Sequence, residues 1–61
     1  MTKAQANQFQ TIVEHLRAGN RDTAARSLSA MIRSATVGAT KQTLYRFAVQ
    51  NSLQANPNFI L

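Results

Sequence analysis

The shortness of this chain, together with its lack of cysteine, most limits what it can fold into. A chain of 61 residues buries only about 60% of its unfolded surface on folding, so its stability is marginal. Disulfides are excluded, and His15 with the separated carboxylates of Glu14 and Asp22 is a poor metal-ligand set. We therefore expect no metal and no cofactor. Helix packing, oligomerisation or docking on a partner remain as sources of stability.

The N-terminal residues carry the pattern of an amphipathic helix, which we predict over residues 3–18. Thr2 and Gln5 have the spacing of a capping box, in which two side chains satisfy backbone N–H groups at a helix start. The apolar stripe, with Ile12 beside it, consists of Ala6, Phe9, Val13 and Leu16. Gly19 follows as a natural left-handed C-terminal cap.

A second helix is predicted over residues 21–36, almost directly after the first. Asn20 is a favourable N-cap residue, and the Asp22 carboxylate in the first turn favours the helix dipole. The predicted buried stripe consists of Ala24, Ala25, Leu28, Met31, Ile32 and Ala35. Because the connection at Gly19 and Asn20 is short, the two helices should form an antiparallel hairpin.

A third helix is predicted over residues 41–53, with Thr40 as its cap. Pro57 then marks a turn or an extended exit, because the residue before a proline avoids the helical conformation. The expected architecture is an all-α fold, a helical hairpin plus a third helix in a small three-helix bundle. It comprises a domain of residues 1–56 and an apolar C-terminal tail of residues 57–61. The predicted core includes Phe9, Val13, Leu16, Leu28, Ile32, Leu44 and Phe47.

The residue inventory argues against catalysis, and we predict no catalytic residues. His15 is the single histidine and so the single candidate base for any serine or threonine nucleophile. A catalytic triad needs three convergent groups in a sheltered cleft, and nothing in the spacing brings His15 beside a serine and a carboxylate. We interpret His15 as a solvated residue on the surface of the first helix.

Basic residues outnumber acidic ones by seven to two, which gives a net charge of +5 and suggests an anionic partner. The basic residues are dispersed, however. Arg26 and Arg33 are seven residues apart and share a helix face, with Arg21 near it but offset in angle. Such a row can contact phosphates or an acidic protein patch. The alternative is a solvated face in which Asp22 pairs locally with Arg26.

The stretch from Thr40 to Phe47, preceded by a turn glycine at Gly38, resembles the start of the recognition helix of TetR-type repressors. The resemblance covers about ten residues, and Arg33 stands where that family has an apolar residue. It implies that this helix start faces DNA. The implied nucleic-acid contacts are Thr40, Lys41, Thr43 and Tyr45, with Arg46 beside them. The alternative is an ordinary third helix whose Leu44, Tyr45 and Phe47 are core residues.

The tail ends in three apolar residues, and exposed apolar clusters usually mark contacts. The tail either folds back to cap the bundle or inserts into a partner or a second copy. The predicted partner-binding residues are Arg21, Arg26, Arg33, Phe59, Ile60 and Leu61.

We predict a non-enzymatic accessory or regulatory protein that binds and modulates a larger protein assembly; size and composition fit a bacterial or phage protein. The alternatives are a nucleic-acid-binding regulator with a helix-turn-helix-like element and a structural subunit of a homo-oligomer. No apolar run approaches the ~20 residues that span a bilayer, and the first residues lack the apolar core of a signal peptide. We therefore expect a cytoplasmic protein with no membrane partner, and the absence of cysteine fits that compartment.

Overall fold

Three α-helices make up most of the chain in a computed structural model that describes residues 1–61. The helices are α1 (Lys3–Arg17), α2 (Arg21–Ser34) and α3 (Gly38–Gln50), followed by a short 3-10 helix (Leu53–Ala55). No strand is present, so the predicted all-α three-helix bundle is confirmed. None of the helices is both long and apolar enough to cross a membrane.

The capping box at the start of α1 is confirmed. The Thr2 hydroxyl accepts a hydrogen bond from the Gln5 backbone N–H at 3.1 Å, and the Thr2 N–H donates to the Gln5 side chain at 2.8 Å. At the other end, Gly19 adopts a positive φ of 82°, which glycine reaches without the steric cost of a Cβ atom. The chain reverses there and enters α2 at Arg21, so α1 and α2 form the predicted hairpin.

The caps of the other two helices differ from the prediction. Asn20 occupies the N-cap position of α2, but its side chain makes no capping hydrogen bond. The prediction that Thr40 caps α3 is wrong, because α3 begins at Gly38 and Thr40 lies buried within it. Val37 takes the cap position instead, since its extended backbone lets its carbonyl accept the first helical bond from Lys41.

Helix α2 lies at the centre of the bundle and packs against both other helices. It runs antiparallel to α3, since the Arg21 side chain at the start of α2 reaches Asn51 at the end of α3. The backbones of α1 and α3 do not approach within 8 Å at any pair of Cα atoms. Their side chains meet in an edge-to-face contact between Phe9 and Phe47, with ring centroids 4.7 Å apart.

The core surrounds α2, and the predicted stripe of that helix is confirmed in full. Helix α1 is turned relative to its predicted stripe, and Ile12, not Phe9 or Val13, is its fully buried residue. Since only α2 brings its backbone close to α1, the flanks of the apolar face of α1 remain half-exposed. The half-buried members of the predicted core are Phe9, Val13, Leu16 and Phe47. His15 is also half-buried, because it follows Ile12 by one turn and borders the same interface.

The chain leaves α3 three residues earlier than predicted and folds back towards α2. Ser52 adopts a left-handed conformation with φ of 59°, and the 3-10 helix that follows places Leu53 fully inside the core. A turn at Pro57 comes next, in which the Phe59 N–H donates to the Asn56 carbonyl at 2.9 Å. The Asn56 side chain accepts from the Asn58 N–H at 2.9 Å, as asparagine commonly does in turns.

Candidate interaction surface

The arginine row of α2, formed by Arg21, Arg26 and Arg33, is used within the chain itself. Each of the three guanidinium groups donates a hydrogen bond to the C-terminal segment, which we define as residues 51–61. The acceptors are the carbonyl oxygen of Asn51 at 2.5 Å, the side-chain oxygen of Asn58 at 2.9 Å and the carbonyl oxygen of Ile60 at 2.5 Å. The row therefore holds the end of the chain against α2.

The C-terminal segment runs parallel to α2, because its contacts follow the same order along both partners. Between the bonds of Arg21 and Arg26, the Asn56 side chain donates to the Asp22 carboxylate at 2.9 Å. Asp22 and Arg26 thus each bind an asparagine of the segment. These contacts replace the ion pair between Asp22 and Arg26 that the sequence offered as an alternative.

The three apolar residues of the tail fall into two groups. Phe59 is half-buried, packs against the core and lies beside Tyr45, with ring centroids 6.4 Å apart. Ile60 and Leu61 are exposed to 61% and 57%. The fold-back interpretation therefore describes Phe59, whereas Ile60 and Leu61 present apolar surface to solvent.

The residues that resemble a recognition helix are not all available on the surface. Thr40 is only 8% exposed, because it faces the core alongside Leu44, and it cannot face DNA while the fold is intact. Lys41, Tyr45 and Arg46 are exposed. Thr43 is exposed too, although its hydroxyl donates at 3.0 Å to a backbone carbonyl of its own helix.

The solvent side of α3 forms a continuous surface, which we call the α3 face. Its residues are spaced by three or four positions and consist of Lys41, Gln42, Tyr45, Arg46 and Val49. Together with Ile32 of α2, the first four line an open groove of about 470 Å³. No acidic residue occurs among residues 23–61, and the charged side chains of the α3 face, Lys41 and Arg46, are both cationic.

Sequence reasoning missed three members of this surface. Ile32 was expected entirely in the core, yet it also forms the α2 side of the groove. Gln42 and Val49 were not among the predicted contact residues, although Val49 is 45% exposed. For Gln42 and Val49 the available signal was their spacing on the side of α3 opposite Leu44, whereas no spacing links Ile32, on α2, to that side.

The remaining polar groups offer little reactive chemistry. The hydroxyls of Ser29 and Ser34 donate to backbone carbonyls of their own helix. No group of three histidine, aspartate or glutamate side chains is placed to hold a metal ion. Comparison of the chain with known protein families, with curated proteins and with solved structures finds no match.

Proposed function

We propose that this protein is a non-enzymatic binding module that docks on a partner protein through the α3 face and the end of the C-terminal segment. One observation carries the proposal. Tyr45 and Val49 are each 45% exposed, and they lie one turn apart on α3. Phe59 contacts Tyr45, so the exposed Ile60 and Leu61 follow directly after a residue that borders the same surface.

The composition of the surface supports a protein interface. Aromatic and arginine side chains are enriched where proteins meet, and Tyr45 and Arg46 supply both here. A tyrosine on a helix presents a large contact area at a low cost in side-chain entropy. The α3 face carries no histidine or carboxylate, so it offers a partner contact area and hydrogen-bond donors but no general base.

A nucleic-acid partner is the second candidate, and the absence of acidic residues from residues 23–61 favours it. Two features weigh against it. Thr40 is buried, and the arginine row already binds the C-terminal segment. Lys41 and Arg46 are then the cations left on the α3 face, and strong phosphate-driven binding usually draws on more contacts.

Site-specific photo-crosslinking in cells that produce the protein would test the proposal. A photoreactive phenylalanine analogue at position 45 or 49 should crosslink to one protein of defined mass, because both positions lie on the α3 face. The matched control is the same analogue at Thr11, which is exposed on α1. The Val49 probe should also lose its crosslink when Tyr45 is replaced by serine.

Two outcomes would overturn the proposal. Equal crosslinking from positions 11 and 45 would show that the α3 face has no privileged role. Crosslinks from position 45 that disappear on nuclease treatment would assign the surface to nucleic acid.

A further inference from the structure

We propose that the segment bound by the α3 face is an acidic amphipathic helix of the partner protein. One large apolar side chain of that helix enters the groove between Ile32 and Tyr45, and its carboxylates meet Lys41 and Arg46. This inference rests on the proposed function and names the chemistry of the partner.

The first support is the state of the charged side chains. Arg21, Arg26 and Arg33 each donate to an acceptor within the chain. Lys41 and Arg46 are exposed and take part in none of these bonds, so their donors are free for a partner. With no acidic residue among residues 23–61 to neutralise them, carboxylates are the complementary groups on another protein.

The second support is the arrangement of the α3 face around its helix. Lys41 and Arg46 are five positions apart, which places them about 140° apart around the axis. Tyr45 and Gln42 lie between them, on the arc that borders the groove. An apolar strip flanked on both sides by cations matches a helix whose apolar stripe is flanked by acids, the mode in which amphipathic helices enter grooves.

A second copy of this chain is a poor occupant. Pairing two α3 faces would bring Lys41 and Arg46 of each copy together without a carboxylate on either face, and like charges in an interface are unfavourable. A nucleic acid would leave the apolar groove and the exposed Val49 unused.

The probe is a fluorescein-labelled helical peptide of about 16 residues with leucines at helical spacing and glutamates along both flanks. Binding to the full chain is followed by fluorescence anisotropy. The comparison probes are the same peptide with glutamine for glutamate, the same peptide with serine for leucine, and a short DNA duplex. We expect the acidic amphipathic peptide to bind at least about tenfold more tightly than either altered peptide.

Charge reversal at two positions locates the site. Lys41→Glu combined with Arg46→Glu should weaken binding of the acidic peptide by about tenfold or more, because two attractive contacts become repulsive. The matched control reverses Lys3 and Arg17, which are exposed on α1. Both double variants have the same net charge, +5 minus 4, which is +1, so non-specific attraction falls equally in both.

The outcomes separate this inference from the proposed function. Equal affinity for the glutamate and glutamine peptides, no binding of any peptide, or equal losses in the two double variants would overturn the acidic-helix inference. The crosslinking pattern at positions 45 and 49 would still decide whether a protein partner exists. A duplex that binds more tightly than the acidic peptide, and loses affinity in the Lys41 and Arg46 variant alone, would overturn both.

Discussion

Two parts of this protein, the hairpin of α1 and α2 and the C-terminal segment, are held in the fold by different kinds of contact. The hairpin of α1 and α2 joins neighbouring parts of the chain through a tight turn at Gly19 and an apolar interface centred on Ile12. The C-terminal segment joins distant parts of the chain through the buried Leu53, the half-buried Phe59 and a series of polar contacts along α2. Surface arginines, which in isolation suggest a binding site, here fix the position of the C-terminal segment on α2.

The difference matters because the two kinds of contact differ in strength. Removing a buried leucine side chain costs about 2–5 kcal/mol of folding free energy, whereas an exposed hydrogen bond contributes roughly 0.5–1.5 kcal/mol. The polar contacts should therefore set the position of the C-terminal segment, while Leu53 and Phe59 supply most of its stability.

The largest expected effect is that of Leu53→Ala. Leu53 is fully buried, and we expect the free energy of unfolding to fall by about 2–3 kcal/mol. The low end of the range applies because the short 3-10 helix can shift to reduce the cavity. Urea denaturation measures the loss, and Val37→Ala, at a position 60% exposed, is the control with little change. A loss no larger than that of the control would mean that the segment is not part of the cooperative fold.

A smaller effect is expected from Phe59→Ala. Full burial of a phenylalanine side chain is worth about 1.5–3 kcal/mol, and Phe59 is half-buried, so we expect a loss of about 1 kcal/mol. Ile60→Ala is the matched change at an exposed position, and a shift of under about 0.5 kcal/mol is expected there. Thermal melts of both variants test whether Phe59 is packed against the core while Ile60 is exposed. Equal losses of stability in the two variants would contradict that difference.

The smallest change in global stability is expected from replacing Arg26 and Arg33 together with alanine. Both hydrogen bonds are exposed to solvent, so the expected loss is below about 1 kcal/mol in total. Amide hydrogen exchange should show the effect more sharply, with faster exchange at Phe59 and unchanged exchange in α1. Arg17→Ala combined with Arg46→Ala removes two exposed arginines outside the row and serves as the control. Unchanged protection at Phe59 would show that the row does not hold the segment.

Local patterns allowed prediction of the features whose cause is local. The capping box at Thr2 and the buried stripe of α2 depend on residues a few positions apart, and a central helix buries every position of its stripe. The orientation of α1 was less predictable, because a helix whose backbone lies close to only one other helix can turn about its axis until its most apolar face is covered. Ile12, beside the predicted stripe, became the centre of that face.

The arginine contacts and the place of Leu53 were beyond reach from sequence. The partners of the arginine row lie 27 to 32 residues away, and no periodicity links positions that far apart. Leu53 lies after the left-handed Ser52, where the helical spacing used to assign core positions no longer applies. The candidate surface was partly predictable, since Lys41, Tyr45 and Arg46 were identified, but the groove requires Ile32 from another helix.

The parallel course of the C-terminal segment along α2 has a consequence for the order of folding. The hairpin needs only contacts between adjacent helices, and the cost in loop-closure entropy is low for such contacts. The bond between Arg33 and Ile60 closes a loop that contains all of α3, so its cost in loop-closure entropy is higher than that of the hairpin contacts. The last residues of the chain should therefore be the last to join the native structure and the first to leave it in partial unfolding, while α1 and α2 stay paired.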